Sequence, residues 1–415
     1  MNTANKPRAE NEVALLQPEP RLTADEIVQR AEAMIPTLRT RSAETEESRT
    51  LAPMTIEEFS NAGFFRILQP KRFGGYAFGL RTFCDVMIAI SRGCGSSGWV
   101  LCLTSAHTFH MAAFPEEGQV EMYGDDGNFR SPLTVAPQGT ATPVDGGYLI
   151  NGRWNYNSGG EHCNWLGLSA FVPGHSEGDE PRDLLMVFVR RDDYEILDNW
   201  HVMGMRGTGS KQAVLEGVFV PYRRAISQPA WLASNAPGYG LHDDPFYQTP
   251  PWQVFCAELA SVCVGLAEAA IDAFHERAMT KVSPWPPFEL VKNERAAQRH
   301  IGYARAKADV ARALLDLIIS DQLQRIERVD GGPNVFHEDE LRRAEMQLQQ
   351  CYVQARECVQ RLFTASGSSA GQTGQLIERV FRDVNMVGTH YMLNAERTTE
   401  NWGATFFGLE PYSPN

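Results

Sequence analysis

Apolar positions recur at a helical period from about Thr23 to Tyr123, change to short β-rich runs between about Phe129 and Pro221, and return to a helical period beyond Pro251. Two stretches of the first region open with the spacing of a capping box, Thr23 with Glu26 and Thr55 with Glu58, which predicts a helix start at each. In the middle region YLINGRW (148–154), LLMVFV (184–189) and QAVLEGVFVP (212–221) read as strands, and Asp145-Gly146-Gly147 as a hairpin turn. A loop rich in Pro, Gly and Tyr, about Gln228 to Pro251, leads into four amphipathic stretches at about 252–280, 289–327, 337–365 and 375–398. Those lengths suit an antiparallel four-helix bundle.

Segregated runs of helices and strands imply separate units instead of a doubly wound sheet, hence an α+β, mostly α, protein. The expected division is a flexible N-terminus 1–22, an N-terminal helical domain 23–127, a central β-barrel-like domain 128–227 and a C-terminal four-helix-bundle domain 228–415. With 415 residues, 43% hydrophobic and 21% charged, the chain is long enough for a large core. A net charge of −13 without a Lys/Arg stripe argues against nucleic acid. The first twenty residues hold no apolar signal region, and no run of about 18 apolar residues occurs, so a cytoplasmic protein without a membrane partner is expected. The eight cysteines include no short-spaced pairs; Cys256/Cys263 and Cys351/Cys358 lie seven apart in helical patterns and read as buried free thiols.

Generic motifs carry little. Gly204 to Gly209 runs G-x-x-G-x-G, but a strand follows where a dinucleotide site needs a helix N-terminus. Gly367-Ser368-Ser369-Ala370-Gly371 matches G-x-S-x-G, yet a helical stretch precedes it where a nucleophile elbow needs a strand. It reads as a helix end and a tight loop. His107 and His110, three apart, can share a helix face, but no third ligand lies nearby and no metal is expected.

The specific signal is spread along the chain. It comprises His107 followed by Phe114-Pro115-Glu116-Glu117; Gly146-Gly147-Tyr148 leading to Gly152-Arg153-Trp154-Asn155-Tyr156-Asn157-Ser158-Gly159; and Trp200-His201-Val202-Met203-Gly204-Met205-Arg206-Gly207-Thr208-Gly209-Ser210, running into Val220-Pro221. Arg382-Asp383-Val384-Asn385 with His390 completes it. Over about residues 25–408 the chain resembles the acyl-CoA-dehydrogenase-like two-component flavin-dependent monooxygenases, the family of p-hydroxyphenylacetate hydroxylase oxygenase, the steroid-ring hydroxylase of cholesterol breakdown and dibenzothiophene monooxygenase.

The resemblance implies the acyl-CoA dehydrogenase-like order of helical domain, β domain and bundle, assembled as a homotetramer. It implies an oxygenase component that receives reduced FMN or FAD from a separate NAD(P)H:flavin reductase. That component would react with O2 through a flavin C4a-hydroperoxide and hydroxylate a small aromatic substrate, phenolic, indolic or heteroaromatic. His390 would assist and protect the hydroperoxide, and Ser158 would meet flavin N5. Tyr156 and Trp200 would flank the flavin ring, Thr134 would contact it, and Gly367, Ser368 and Ser369 would meet its phosphate, with Lys281 or Arg295 near. His107 would bind the substrate hydroxyl, with Leu133 where phenol hydroxylases carry serine and Tyr391 in the same pocket. Taken singly, Ser158 also reads as a turn serine, Tyr156 and Trp200 as core aromatics, His390 as a core histidine on the last helix, and Lys281 and Arg295 as solvated charges.

In the similar dehydrogenases a glutamate base lies nine residues after the arginine of the Arg-Asp motif, which here falls on Tyr391. Trp285-Pro286-Pro287-Phe288 stands where they carry Arg-x-x-Phe-Gly, which favours FMN or loosely bound reduced FAD over tightly held FAD. Two alternatives stay open: an FAD-dependent acyl-CoA-type dehydrogenase with a relocated base, and a non-catalytic flavin-fold binding protein.

Overall fold

The computed structural model describes residues 17–173, 183–327 and 338–410; residues 1–16 of the expected flexible N-terminus, and the start of the third bundle stretch at 337, lie outside that range. Helix α1 (Ala24–Ser48) begins on a capping box: Thr23 Oγ1 accepts from Glu26 N at 3.2 Å, and the Glu26 carboxylate accepts from Thr23 N at 2.8 Å. The second expected box does not form. Helix α2 (Pro53–Asn61) starts earlier, with Ala52 as N-cap and Pro53 in its first turn. Proline has its φ preset for a helix start and no N–H to satisfy, so the cap hydroxyl is dispensable. Thr55 is buried instead, accepting from Arg41 at 3.3 Å, while Glu58 pairs with the same guanidinium at 2.9 Å. Helices α3 (Gly79–Gly93), α4 (Gly95–Met111) and α5 (Glu116–Tyr123) follow.

Strands β1 (Leu133–Thr134), β2 (Thr140–Val144), β3 (Gly147–Asn157), β4 (Trp165–Phe171), β5 (Leu184–Arg190), β6 (Glu195–Leu197), β7 (Lys211–Pro221) and β8 (Ala225–Ser227) form one sheet. Its order is β6-β7-β3-β2-β4-β5-β8, with β1 beside β4. The expected hairpin is present: Val144 faces Gly147 across Asp145-Gly146, and Gly146 takes φ +79°. Ile150, Trp154, Leu168, Val187 and Leu215 build the sheet's own core. Between Trp154 and Asn157 the register of β3 against β7 slips, which re-aims the strand end.

After the short α6 (Gln228–Leu232) come α7 (Pro251–Thr280), α8 (Arg295–Glu327), α9 (Glu338–Ala365), α10 (Leu376–Val387) and α11 (Ala395–Phe406). The fourth amphipathic stretch is therefore two helices, not one. A Cβ on Gly388 would lie 1.8 Å from Tyr352 Oη, so the chain passes α9 at a distance only glycine allows and then turns. His390 caps a 3-10 turn at Tyr391–Leu393, and the Asn394 side chain caps α11 by accepting from Arg397 N at 2.9 Å. His390 thus stands in a turn between helices and not on the last helix.

By length and composition α7 could cross a membrane, but 89% of its apolar window is buried inside the protein, where it packs on α3, α8 and α9. All eight cysteines are free and buried. The seven-residue spacing lets α9 repeat one contact along α7, with Cys351 Sγ 3.7 Å from Ala260 O and Cys358 Sγ 3.7 Å from Ala267 O.

Candidate active site

Ser158 closes the turn that follows β3. Tyr156, at φ +68°, occupies the left-handed region, a strain of about 1–3 kcal/mol for a bulky residue that such sites tolerate when the surroundings enforce it. At Gly159 a Cβ would come within 2.6 Å of Val100 on α4. That close approach presses Ser158 against the helix, where Trp99 Nε1 donates to Ser158 Oγ at 3.1 Å.

Behind Ser158 runs a chain of hydroxyls: Ser158 Oγ to Ser210 Oγ at 2.7 Å, Ser210 Oγ to Thr208 Oγ1 at 2.7 Å, and Thr208 Oγ1 to Met205 O at 2.9 Å. A carbonyl only accepts, so Thr208 donates to Met205, Ser210 to Thr208, and Ser158 to Ser210. With its proton committed and one lone pair taken by Trp99, Ser158 Oγ keeps one lone pair for a donor from outside.

The Met205 carbonyl also accepts from Trp200 Nε1 at 3.2 Å, and Met205 N donates to Asp383 Oδ1 at 2.6 Å. Asp383, the acid of the Arg-Asp-Val-Asn motif on α10, thereby anchors the turn that orients both Trp200 and the hydroxyl chain. Burial raises its carboxyl to about 6, against the lowering effect of the Met205 N–H. Trp200 is buried and meets the exposed Tyr156 edge-to-face, centroids 6.2 Å apart at 90°. The two rings form a corner instead of a parallel clamp. Thr134 on β1 donates toward Asn157 Oδ1 at 3.1 Å, and Asn157 Nδ2 holds Trp154 O at 2.6 Å, so Thr134 braces the strand end beneath them.

His390 approaches from the bundle. Its Nδ1 accepts from Met392 N at 3.3 Å, which leaves the proton of the neutral ring on Nε2. Burial and the Arg397 charge lower its pKa to about 4, so it is a neutral donor at physiological pH. Trp99 and His390 meet edge-to-face, centroids 5.8 Å apart. One indole therefore touches both Ser158 and His390. Neighbouring Tyr391 is exposed, with the Arg397 guanidinium 4.3 Å over its ring.

About two turns beyond Trp99 on α4, His107 is fully buried. Its Nδ1 donates to Ser131 O at 2.7 Å, so Nε2 is the acceptor, and burial lowers the imidazole to about 4. Leu133 packs half-buried against the core. The Gly367-Ser368-Ser369 loop lies elsewhere, at the C-terminal end of α7. Arg277 donates to Ser366 O at 3.2 Å and to Ser369 Oγ, and Lys281 Nζ donates to Ser366 O at 3.4 Å. The Lys281 ammonium is lowered by burial and by Arg277, a repulsion that a bound anion would relieve. Arg295 opens α8.

The sequence reading missed Trp99, Thr208, Ser210 and Arg277. Thr208, Ser210 and Asp383 stand inside the quoted motifs without a role assigned to them, whereas Trp99 and Arg277 carried no signal. The groups present fit the ring of a reduced flavin: apolar ring surfaces at Tyr156 and Trp200 and a spare acceptor at Ser158 for a ring N–H. Arg277 and Lys281 at the separate Gly367 loop suit an anion.

Residues 257–395 match the family described as acyl-CoA dehydrogenase, C-terminal domain. The chain is 33% identical over 382 residues to the flavin-dependent monooxygenase oxygenase subunit HsaA of Rhodococcus jostii, covering 92% of this chain and 98% of the relative. It is 26% identical to the oxygenase component of p-hydroxyphenylacetate 3-hydroxylase of Acinetobacter baumannii, over 94% and 91% of the two chains. The solved structure of XiaF from a Streptomyces species, in complex with FADH2 and glycerol, superposes with a TM-score of 0.82 at 25% identity, covering 98% of this chain and 99% of that one. The acyl-CoA dehydrogenase-like architecture and the near full-length identity agree: the protein belongs to the oxygenase subunits of the two-component flavin-dependent monooxygenases.

Proposed function

We propose that this chain takes reduced FMN or FAD from a separate NAD(P)H:flavin reductase and uses O2 to hydroxylate a small phenolic, indolic or heteroaromatic substrate. The observation that carries this reading is the convergence of Ser158 and His390 on Trp99. When bound, the reduced flavin supplies the electrons that activate dioxygen, one atom of which enters the substrate while the other leaves as water. Ser158 accepts the ring N–H and holds its proton in place, since its own proton is committed to Ser210. His390 donates from Nε2 without carrying charge. His107 Nε2 accepts a hydrogen bond from a substrate hydroxyl and so orients the ring and enriches it in electrons, and Leu133 keeps that part of the pocket apolar. Trp99 and Trp200, both buried, keep water away from this chemistry.

The name of the Acinetobacter relative supports a phenolic substrate, and the FADH2 in the Streptomyces structure supports a reduced flavin. Phe406, Phe407 and Leu409, exposed at the end of α11, favour burial against further copies in a homotetramer. Eight buried free thiols suit the cytoplasm. The dehydrogenase alternative needs its base relocated, because Tyr391 stands nine residues after Arg382.

The test is anaerobic titration with reduced FMN and reduced FAD, followed by isotopically labelled dioxygen and a panel of phenols and indoles. Saturable flavin binding and labelled oxygen in a hydroxylated product are expected. Failure to bind either flavin, or product oxygen drawn from water, overturns the reading.

A further inference from the structure

One turn beyond His107, the interior holds four polar atoms to which the described residues offer no hydrogen bond. Both nitrogens of His110 and both carboxyl oxygens of Glu258, on α7, are unpartnered, although His110 is 1% exposed and Glu258 0%. They face each other at 3.5 Å between His110 Nε2 and Glu258 Oε1, longer than a good hydrogen bond. Buried polar groups almost always find partners, so two adjacent side chains with none indicate a polar group that is not part of the chain. Trp231 Nε1, also buried and unpartnered, belongs to a ring whose edge meets His110 with centroids 5.4 Å apart.

The walls are aromatic. Phe255, one turn before Glu258, lies against both imidazoles, with centroids 4.3 Å from His110 and 6.4 Å from His107. The two imidazoles are themselves 5.7 Å apart. An aromatic ring beside Phe255 with one hydroxyl on His107 would bring a second substituent to His110 and Glu258. We infer that His110 and Glu258 form a second polar subsite of the substrate pocket, which selects aromatics bearing a further neutral hydroxyl. This rests on the proposed role of His107.

The sign of the charge narrows the class. Burial raises the Glu258 carboxyl with no cation among the described residues acting on it, so an acidic substituent would meet a second acid without compensation. A protonated Glu258 and a neutral His110 can each donate and accept, which matches a hydroxyl.

The test measures binding of phenol and of the isomeric dihydroxybenzenes to the protein carrying reduced flavin under anaerobic conditions, without turnover. The intact protein is expected to bind at least one diol about tenfold or more tightly than phenol, because phenol leaves the buried pair unpaired. Glu258→Leu should abolish that preference while phenol affinity holds, and Glu258→Gln, which can still donate and accept, should retain it. Melting temperatures of both variants check the fold. If phenol binds but no diol is preferred, or if Glu258→Leu keeps the preference, the pair is a site for internal water and the inference fails alone. If no aromatic binds to the intact protein, the reading of His107 fails and this inference with it.

Discussion

Trp99 donates its indole N–H to Ser158 Oγ at 3.1 Å, across 59 residues of chain, and the same ring meets His390 edge-to-face. Ser158 after β3 and His390 of the bundle therefore share one side chain, and a change at either is felt by the other. Trp99→Phe keeps an apolar ring near His390 and removes the N–H. A lost hydrogen bond of about 1 kcal/mol predicts roughly a fivefold rise in hydrogen peroxide released per product. Ser158→Ala should uncouple the reaction more strongly. Peroxide and product are measured against NADH consumed; unchanged coupling in Ser158→Ala would remove the serine from its role.

His390→Ala should slow the reaction of the reduced-flavin complex with oxygen by about 10²-fold or more, the scale of a positioned proton donor. Because His390 is neutral down to about pH 4, the intact protein's rate should be level between about pH 5.5 and 8. Stopped-flow rates across that range check both statements. A step near pH 6.5 that vanishes in the variant would mean that the charged imidazole is the active form.

Buried neutral histidines make the fold acid-sensitive. The pKa values of His107 and His390 are lowered to about 4 and that of His110 falls well below its usual value, so the unfolded chain binds these protons more readily. The stability they contribute is present above about pH 6.5 and is lost as the pH falls toward 4. Urea midpoints should drop over that window, and His107→Gln should flatten the drop. An unaltered slope would count against a depressed pKa at His107.

Asp383 acts with the opposite sign. Its carboxyl is raised from 3.8 to about 6 in the fold, so its contribution is present below about pH 3.8 and is lost as the pH rises through 6. Asp383→Asn keeps an acceptor for Met205 N and removes the buried charge. It should gain on the order of 3 kcal/mol over the parent at pH 8 and nothing at pH 4, as read from denaturant unfolding. An equal difference at both values would exclude the titration as the cause.

Gly204→Ala probes the turn anchored by Asp383. Its Cβ would lie 2.3 Å from Arg382 O, a backbone atom that cannot swing aside. A cost of about 1–3 kcal/mol and weaker binding of reduced flavin are expected, because Trp200 follows Met205 when the turn shifts. Intact flavin affinity in a destabilised variant would uncouple the turn from the site.

The parts of this protein legible in its sequence are those set by local chemistry. Thr23 and Glu26 announce a helix because both partners lie within one turn, and Asp145-Gly146 announces a hairpin for the same reason. Thr55 with Glu58 has the same spacing, but Pro53 starts the helix first, and a spacing rule cannot see that. The break at Gly388 is set by Tyr352 on another helix, so the run at 375–398 reads as continuous. In the site, Ser158, Trp200 and His390 were visible only through a family pattern. Trp99 was not, because its significance exists only once α4 packs on the β3 turn. His110 beside His107 has the spacing of two metal ligands without a third, and that spacing says nothing of Glu258, on a distant helix, which supplies its context.

The packing of the cysteines has a bearing on how long such a catalyst lasts. An oxygenase that leaks hydrogen peroxide bathes its own side chains in an oxidant whose preferred target is the exposed thiolate. Here burial raises the pKa of all eight thiols, which keeps them in the form peroxide attacks least, behind apolar walls it enters poorly. Imperfect coupling then wastes reductant without disabling the enzyme that wastes it.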